Sequence, residues 1–283
     1  MNKVWIVTGS ATGIGAGIAR AALDAGESVV ATDLDSDRLS EAYAGYGDRV
    51  MAQHLDIRDA DQARDVVRAA MARFGRIDVL VNNAGYGQFG PFEQVETEAV
   101  ERQFSTNVFG TMNVTREVLP VLRRQRSGHI INMSSNGGFR GVKGGSMYSA
   151  TKFAIEGFSE SLAEEIAGFG IKVTIVEPGA FRTGFLNPGA IRYGIHVIED
   201  YEDYWASARA VFEQRAGTQI GDPARLGNAV VTIVNSEKPP LRFVAGPDAV
   251  AIVEGKLRSV SGELQDWREL SMSTSYETTG SAR

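Results

Sequence analysis

Val4-Trp-Ile-Val-Thr8-Gly-Ser-Ala-Thr-Gly13-Ile-Gly15 is the stretch whose reading decides the fold. Its first five residues are a short apolar run rich in β-branched side chains, which suits a buried strand. Ala16 to Ala25 follows as an alanine-rich helix closed by Gly26. Between them, Gly9, Gly13 and Gly15 allow positive φ and close approach of a ligand to the backbone. The N-terminus of the following helix offers free N–H groups to an anion. An ordinary tight βα turn would carry the same glycines, so this turn needs support from elsewhere. No Gly-x-x-x-x-Gly-Lys-Ser/Thr occurs in the chain, which argues against a nucleoside-triphosphate loop and for a dinucleotide.

Working outward, strands and helices alternate. Strands are expected at Val4–Thr8, Ser28–Thr32, Val50–His54, Ile77–Val81, His129–Ser134, Lys172–Glu177 and Leu241–Ala245. Long helices are expected at Asp59–Phe74, Glu98–Arg124 and Tyr148–Phe169. Continuous apolar strands in such an alternation mean an α/β fold, a doubly wound, Rossmann-type parallel sheet with helices on both faces. Ligands of these sheets bind at the carboxyl ends of the strands. With no solenoid-period repeat and no low-complexity linker, residues 1–270 read as one domain.

The second strand ends at Asp33, about 20 residues after the glycine turn, where a dinucleotide fold holds the adenosine ribose. Its carboxylate accepts hydrogen bonds from both ribose hydroxyls but repels a 2′-phosphate, by about 4 kcal/mol at 4 Å and an effective dielectric of 20. Neither Leu34 nor Thr12 offers a basic group, so the cofactor expected is NAD rather than NADP. Asp33 could also cap the next helix, although Asp35 and Ser36 serve that purpose.

Tyr148 and Lys152 stand four apart in Met147-Tyr-Ser-Ala-Thr-Lys-Phe, hence on one helix face. An ammonium beside a phenol favours the phenolate and lowers its pKa from about 10. That makes an acid–base group suited to neutral pH.

Together these motifs resemble the short-chain dehydrogenase/reductase (SDR) family, in its compact single-domain branch. Asn82-Asn-Ala-Gly85 is similar to the family's motif after the fourth strand, and Pro178-Gly179 with Thr183 to its carboxamide loop. Val176-Glu-Pro-Gly-Ala-Phe-Arg-Thr183 resembles the hydroxysteroid-dehydrogenase-like members. The resemblance implies hydride transfer between nicotinamide and a carbonyl or alcohol carbon. Tyr148 would be the acid–base, Lys152 its pKa partner and a ribose contact, and Ser135 the group polarising the substrate oxygen. Asn107 would position a water, or hold a helix kink, or both. Gly9, Thr12, Gly13, Ile14 and Gly15 would cradle the pyrophosphate, Asp33 and Leu34 border the ribose, and Asp56 and Ile57 the adenine. Asn83, Ala84 and Gly85 would line the cofactor, with Pro178, Gly179, Phe181 and Thr183 near its carboxamide, while Asn82 serves as a structural clamp. Of the adjacent Ser134 and Ser135, strand alternation lets one face the site, and spacing to Tyr148 favours Ser135.

Substrate residues expected are Tyr86, Ser135, Phe139, Val142, Met147 and Phe185. Aromatic residues gather between Thr183 and Asp222, which reads either as a lid over 184–221 or as a helix packed on the core. Their number suggests a bulky, apolar alcohol or ketone, with steroid, polyketide-like and small aromatic substrates all open. Residues 271–283 are polar and expected to be flexible.

A net charge of −6 argues against a nucleic-acid surface. The chain has no cysteine, so it has neither disulfides nor a thiol nucleophile. No apolar run approaches the ~20 residues of a membrane span and no secretion signal is evident, so a cytoplasmic location is expected. His54, His129 and His196 lack metal-ligand spacing and are expected at the surface or at strand edges. No metal is expected. The resemblance also implies a homodimer or homotetramer, paired through the helices expected at Glu98–Arg124 and Tyr148–Phe169. A cofactor-sensing protein on this fold would lose Tyr148 or Lys152, and a non-redox lyase would lose the glycine turn; both features are intact. A polymer-building ketoreductase subunit stays open within the redox class.

Overall fold

The computed structural model describes residues 2–187 and 191–276. The chain begins β1 (Val4–Thr8), α1 (Gly13–Asp24), β2 (Ser28–Asp33), α2 (Ser36–Tyr43), β3 (Val50–His54), α3 (Ala60–Phe74) and β4 (Val79–Asn82). It continues through β5 (Gln88–Phe89), α4 (Thr97–Phe104), α5 (Thr111–Gln125), β6 (Gly128–Met133), α6 (Ser146–Ile166) and β7 (Ile171–Pro178). Last come β8 (Arg192–Tyr193), α7 (Glu202–Arg215), α8 (Pro223–Val234), β9 (Arg242–Ala245), α9 (Pro247–Asp266) and α10 (Arg268–Met272). Seven strands form one parallel sheet in the order β3-β2-β1-β4-β6-β7-β9, the doubly wound arrangement expected, in a single domain. The strand order reverses between β1 and β4, where such sheets bind ligands at their carboxyl ends.

Each central strand is buried on both faces, which is why it reads as unbroken hydrophobicity. Ile6, Val30, Leu80 and Ile130 pack on the α3, α5 and α6 side; Trp5, Val7, Val29, Val81 and Ile131 pack on the α1 and α8 side. Helices α1 and α8 cross backbone to backbone. A Cβ on Gly17 would overlap the Pro223 carbonyl, and one on Gly227 would overlap the carbonyl of Gly17. Asp35, Asp59 and Asp222 cap α2, α3 and α8 by accepting from backbone N–H groups, each cap worth about 1 kcal/mol.

Three expectations are corrected. The helix expected at Glu98–Arg124 is broken by a π-helical segment, Ser105–Gly110, between α4 and α5. His129 is not at the surface: it is buried in β6, bonded to Thr174 Oγ1 at 2.9 Å, and burial holds its pKa down at about 4. The polar tail expected from 271 begins inside α10, and its residues 277–283 lie outside the described residues. The stretch read as a lid or as a packed helix, 184–221, holds two short 3-10 turns, β8 and α7, and its residues 188–190 lie outside the described residues.

Candidate active site

The glycine turn is locked from behind. Gly9 and Gly13 hold φ values of 63° and 62°, which favour glycine. A Cβ on Gly9 would come within 2.8 Å of Ala84 Cα, and one on Gly15 would overlap the Gly9 carbonyl. Asn83 Nδ2 donates to the carbonyls of Thr8 and Gly9, each at 2.9 Å. Thr8 Oγ1 accepts from the Asn83 and Ala84 N–H groups, each at 3.0 Å. Asn83 therefore spends its amide on fastening the turn. Asn82 is the clamp expected, donating to Thr115 Oγ1 and Asn132 Oδ1 at 2.9 and 2.8 Å.

Asp33 closes β2 beside this turn. Its Oδ2 accepts from the Ala11 N–H at 2.9 Å, which holds the carboxylate at the strand end. The helix cap falls to Asp35 instead, and neighbouring Leu34 is 61% exposed. Asp56 is gripped by Arg58, whose Nε lies 2.9 Å from Oδ1 and Nη2 2.5 Å from Oδ2, lowering the carboxyl pKa. Ile57 is buried and packs on Gly110. The loop after β7 closes over the turn from the other side. Thr183 side-chain carbons lie 3.4 Å from where a Gly13 Cβ would stand, and Thr12, Gly13, Arg182 and Thr183 share a cavity of about 570 Å³. Pro178 ends β7, Gly179 packs on the Asp248 carboxylate, and Phe181 bridges to Gly221. Asp248 was invisible to motif reading. It fixes this loop by accepting from the Ala180 N–H at 2.7 Å.

Tyr148 and Lys152 occupy successive turns at the start of α6, with Ser135 next to the phenol. Lys152 is buried and donates from Nζ to the Met133 carbonyl at 2.8 Å; Nζ stands 5.8 Å from the Tyr148 ring centre. Burial brings its pKa down to about 8, against a nearby Glu156 that raises it. The lowering of the phenol expected from Lys152 is absent. Burial pushes the Tyr148 pKa up, opposed by the Ser135 hydroxyl. The physical reason is that the apolar surroundings disfavour the phenolate, while the ammonium is directed at a backbone carbonyl. Ser134 Oγ lies on the other side, against Gly138 and toward Glu156.

Asn107 sits in the π segment and is buried. Its Nδ2 donates to the Tyr86 carbonyl at 2.9 Å and to Thr151 Oγ1 at 3.2 Å, and its Oδ1 accepts from the Tyr86 N–H at 3.1 Å. The irregular turn thus ties the β4 loop to α6, a frequent use of π-bulges at functional sites.

An aromatic wall stands over the phenol. Phe89 and Phe185 have ring centres 5.4 and 5.8 Å from Tyr148. Phe212 lies 5.0 Å from Phe89, and Trp205 6.4 Å from Phe212. Of the residues expected in the pocket, Phe185 meets Tyr148 directly, and Val142 and Phe89 both pack against Gly145. Tyr86 is under the Arg192 guanidinium at 4.8 Å, while Phe139 and Met147 are half-buried. Phe89 escaped sequence reading, since it lies in a two-residue strand outside every motif.

Comparison with known proteins agrees with this geometry. A family model described as short chain dehydrogenase matches residues 3–190. Oxidoreductase BOA17 of Botryotinia fuckeliana is 38% identical over 275 residues, 97% of this chain and all of that protein. The 3-ketodihydrosphingosine reductase of Bacteroides thetaiotaomicron is 37% identical over 247 residues, 87% of this chain and 88% of that protein. A solved short-chain dehydrogenase from Streptomyces avermitilis superposes with a TM-score of 0.90 at 42% identity, covering 98% of this chain and all of the other. The chain belongs to the short-chain dehydrogenase/reductase family of oxidoreductases.

Proposed function

We propose that this protein interconverts a bulky, apolar secondary alcohol and its ketone with NAD(H). The observation that carries the reading is the convergence of Tyr148, Ser135 and Lys152 beneath an aromatic wall, beside a glycine turn flanked by Asp33. The residues present fit a dinucleotide. Gly9 and Gly15 leave a cradle that any Cβ would fill, Asp33 offers acceptors at the end of β2, and the loop from Pro178 to Thr183 covers the turn. Thr12, Ile14 and the α1 N-terminus would hold the pyrophosphate, Asp33 and Leu34 the adenosine ribose, and Asp56 and Ile57 the adenine. Once bound, the nicotinamide supplies the hydride chemistry. The protein's own residues supply position and proton transfer. Tyr148 gives its proton to the ketone oxygen in reduction and recovers one from the alcohol in oxidation. Ser135 donates to that same oxygen, and Lys152 presents a positive charge beside the phenol.

Phe89, Phe185, Phe212 and Trp205 favour an extended apolar group next to the reacting carbon. The similar 3-ketodihydrosphingosine reductase is named for reducing a 3-keto compound, in keeping with a ketone substrate. A second copy would pack on the apolar groove of about 340 Å³ between α5 and α6, lined by Leu119, Phe158, Leu162 and Phe169.

The test is NADH formation across secondary alcohols graded from small aliphatic to long-chain and steroidal. Turnover should rise with apolar size. Tyr148→Phe should bind NADH as the parent does and lose turnover by at least about a hundredfold, the usual contribution of a positioned acid–base group. Near-parental turnover in that variant would refute the assignment.

A further inference from the structure

We propose that α9 pairs with α9 of a second copy of this chain, antiparallel, along an apolar seam from Leu257 to Trp267. Only the first turns of α9 rest on the body, where Ala249 and Val253 are buried. From Leu257 to the last described residue, every side chain is exposed. Yet the apolar residues are not scattered. Val250, Val253, Leu257, Val260, Leu264 and Trp267 follow one another at alternating steps of three and four, the repeat that sets one helix against another. Leu257, Leu264 and Trp267 are 55%, 57% and 63% exposed. A soluble monomer rarely presents so continuous an apolar stripe.

The occupant follows from what the seam leaves free. Val253 is already covered by its own body, so the open part runs from Leu257 to Trp267. An antiparallel copy sets Leu257 against the partner's Trp267 and Val260 against the partner's Leu264. It also carries the two bodies to opposite ends of the seam. A parallel copy would need Val253 to meet the partner's Val253, with both lying under their own bodies. In the antiparallel register Glu254 faces the partner's Arg268, and symmetry makes this pair twice. Lys256 flanks the partner's Leu270, and Glu263 meets the partner's Glu263 at the rim, the one opposing contact. Within its own helix Glu254 has only Arg258 at 3.9 Å, so it is available to a partner. A lipid surface is the poorer occupant. Asp248, Glu254, Glu263, Asp266 and Glu269 outnumber Lys256, Arg258 and Arg268, which repels an anionic bilayer.

The absence of cysteine makes the test direct. In this register residue 261 flanks its own copy, whereas the two copies of residue 266 stand about 12 Å apart along the axis at 1.5 Å per residue. Purified full-length Ser261→Cys should give a covalent dimer with a short bis-maleimide, and Asp266→Cys should not. In sedimentation analysis Leu264→Glu with Trp267→Glu should lose one association step, halving the particle mass, with NADH binding retained. Glu254→Arg should weaken association about tenfold, two surface pairs turned repulsive, and adding Arg268→Glu should restore it. An unchanged mass in the Leu264→Glu, Trp267→Glu protein overturns the proposal. So does failure of Ser261→Cys to cross-link, or capture of the parent protein as a monomer on anionic phosphatidylserine vesicles. None of these outcomes depends on the enzyme's substrate.

Discussion

Replacing Glu177 by glutamine should make the protein progressively more stable than its parent as the pH rises. Glu177 lies near the end of β7 with no exposed surface. Its Oε1 stands 3.2 Å from Arg242 Nε, but that guanidinium also serves Glu156 at 2.9 Å and Glu160 at 2.6 Å. Lys152 is the other cation near this group, acting on Glu156. One arginine cannot fully compensate two buried carboxylates. Burial, then the neighbouring Glu156, raises the Glu177 pKa to about 7 against the opposing pull of Arg242. The native state therefore keeps a proton that the unfolded chain has lost, and stability falls as pH rises from about 4.5 to about 7. At 1.36 kcal/mol per pKa unit that gap is worth about 3 kcal/mol, most of which develops between pH 5 and pH 8. Glutamine keeps the shape and does not titrate. Urea unfolding at fixed protein concentration from pH 5 to pH 8 should show the difference between variant and parent growing by roughly 2 to 3 kcal/mol in the variant's favour. A difference that stays constant within about 0.5 kcal/mol would refute the reasoning, since Glu177 would then be ionised in both states throughout.

Gly15→Ala would drive a methyl into the Gly9 carbonyl and Asn83 Nδ2, so NADH affinity measured by fluorescence titration should fall by about tenfold or more, overlap with backbone being costly to relieve. Asp33→Ala with Leu34→Arg should shift kcat/KM toward NADPH, and unchanged selectivity would remove Asp33 from the ribose site. Lys152 holds its charge only below about pH 8, so kcat/KM should lose activity above that pH, and in Lys152→Met the surviving rate should no longer show that limb.

The sheet was legible because its strands are continuous apolar runs between helices, and each expected strand is found within two residues of its place. The glycine turn and Asp33 were legible for a similar reason: backbone conformation and one carboxylate at a fixed distance carry the whole signal. What lay hidden was tertiary. No local pattern distinguishes the π segment at Ser105–Gly110 from ordinary helix, because its cause is Asn107 reaching across to Tyr86 and Thr151. Phe89, in a strand of two residues, gains its place only when β8 pairs with it and α7 brings Phe212 against it. His129 reads as a polar edge residue, yet Thr174 on the next strand satisfies it and permits burial. The spacing of Tyr148 and Lys152 was correct, but the direction of the phenol's pKa was not. A positive charge four residues away says nothing about how much water the aromatic wall excludes.

That last point bears on direction of catalysis. Helix α6 presents Tyr148, Lys152 and Glu156 at four-residue intervals, and each meets a different environment: aromatic rings, the Met133 carbonyl, and the guanidinium of Arg242. The cation nearest the phenol is weakened by burial, and the phenol itself is held in its protonated form. On the proposed reading, Tyr148 is thus better prepared to give a proton than to take one at neutral pH. Ketone reduction should proceed well at pH 7, while alcohol oxidation by the same enzyme should accelerate as the pH rises, until loss of the Lys152 charge opposes it above about pH 8. Initial rates in both directions from pH 6 to pH 9, with cofactor saturating, would measure this. An oxidation rate that is already maximal at pH 6 would mean that the phenol is deprotonated in the working complex. The aromatic wall would then not govern its proton.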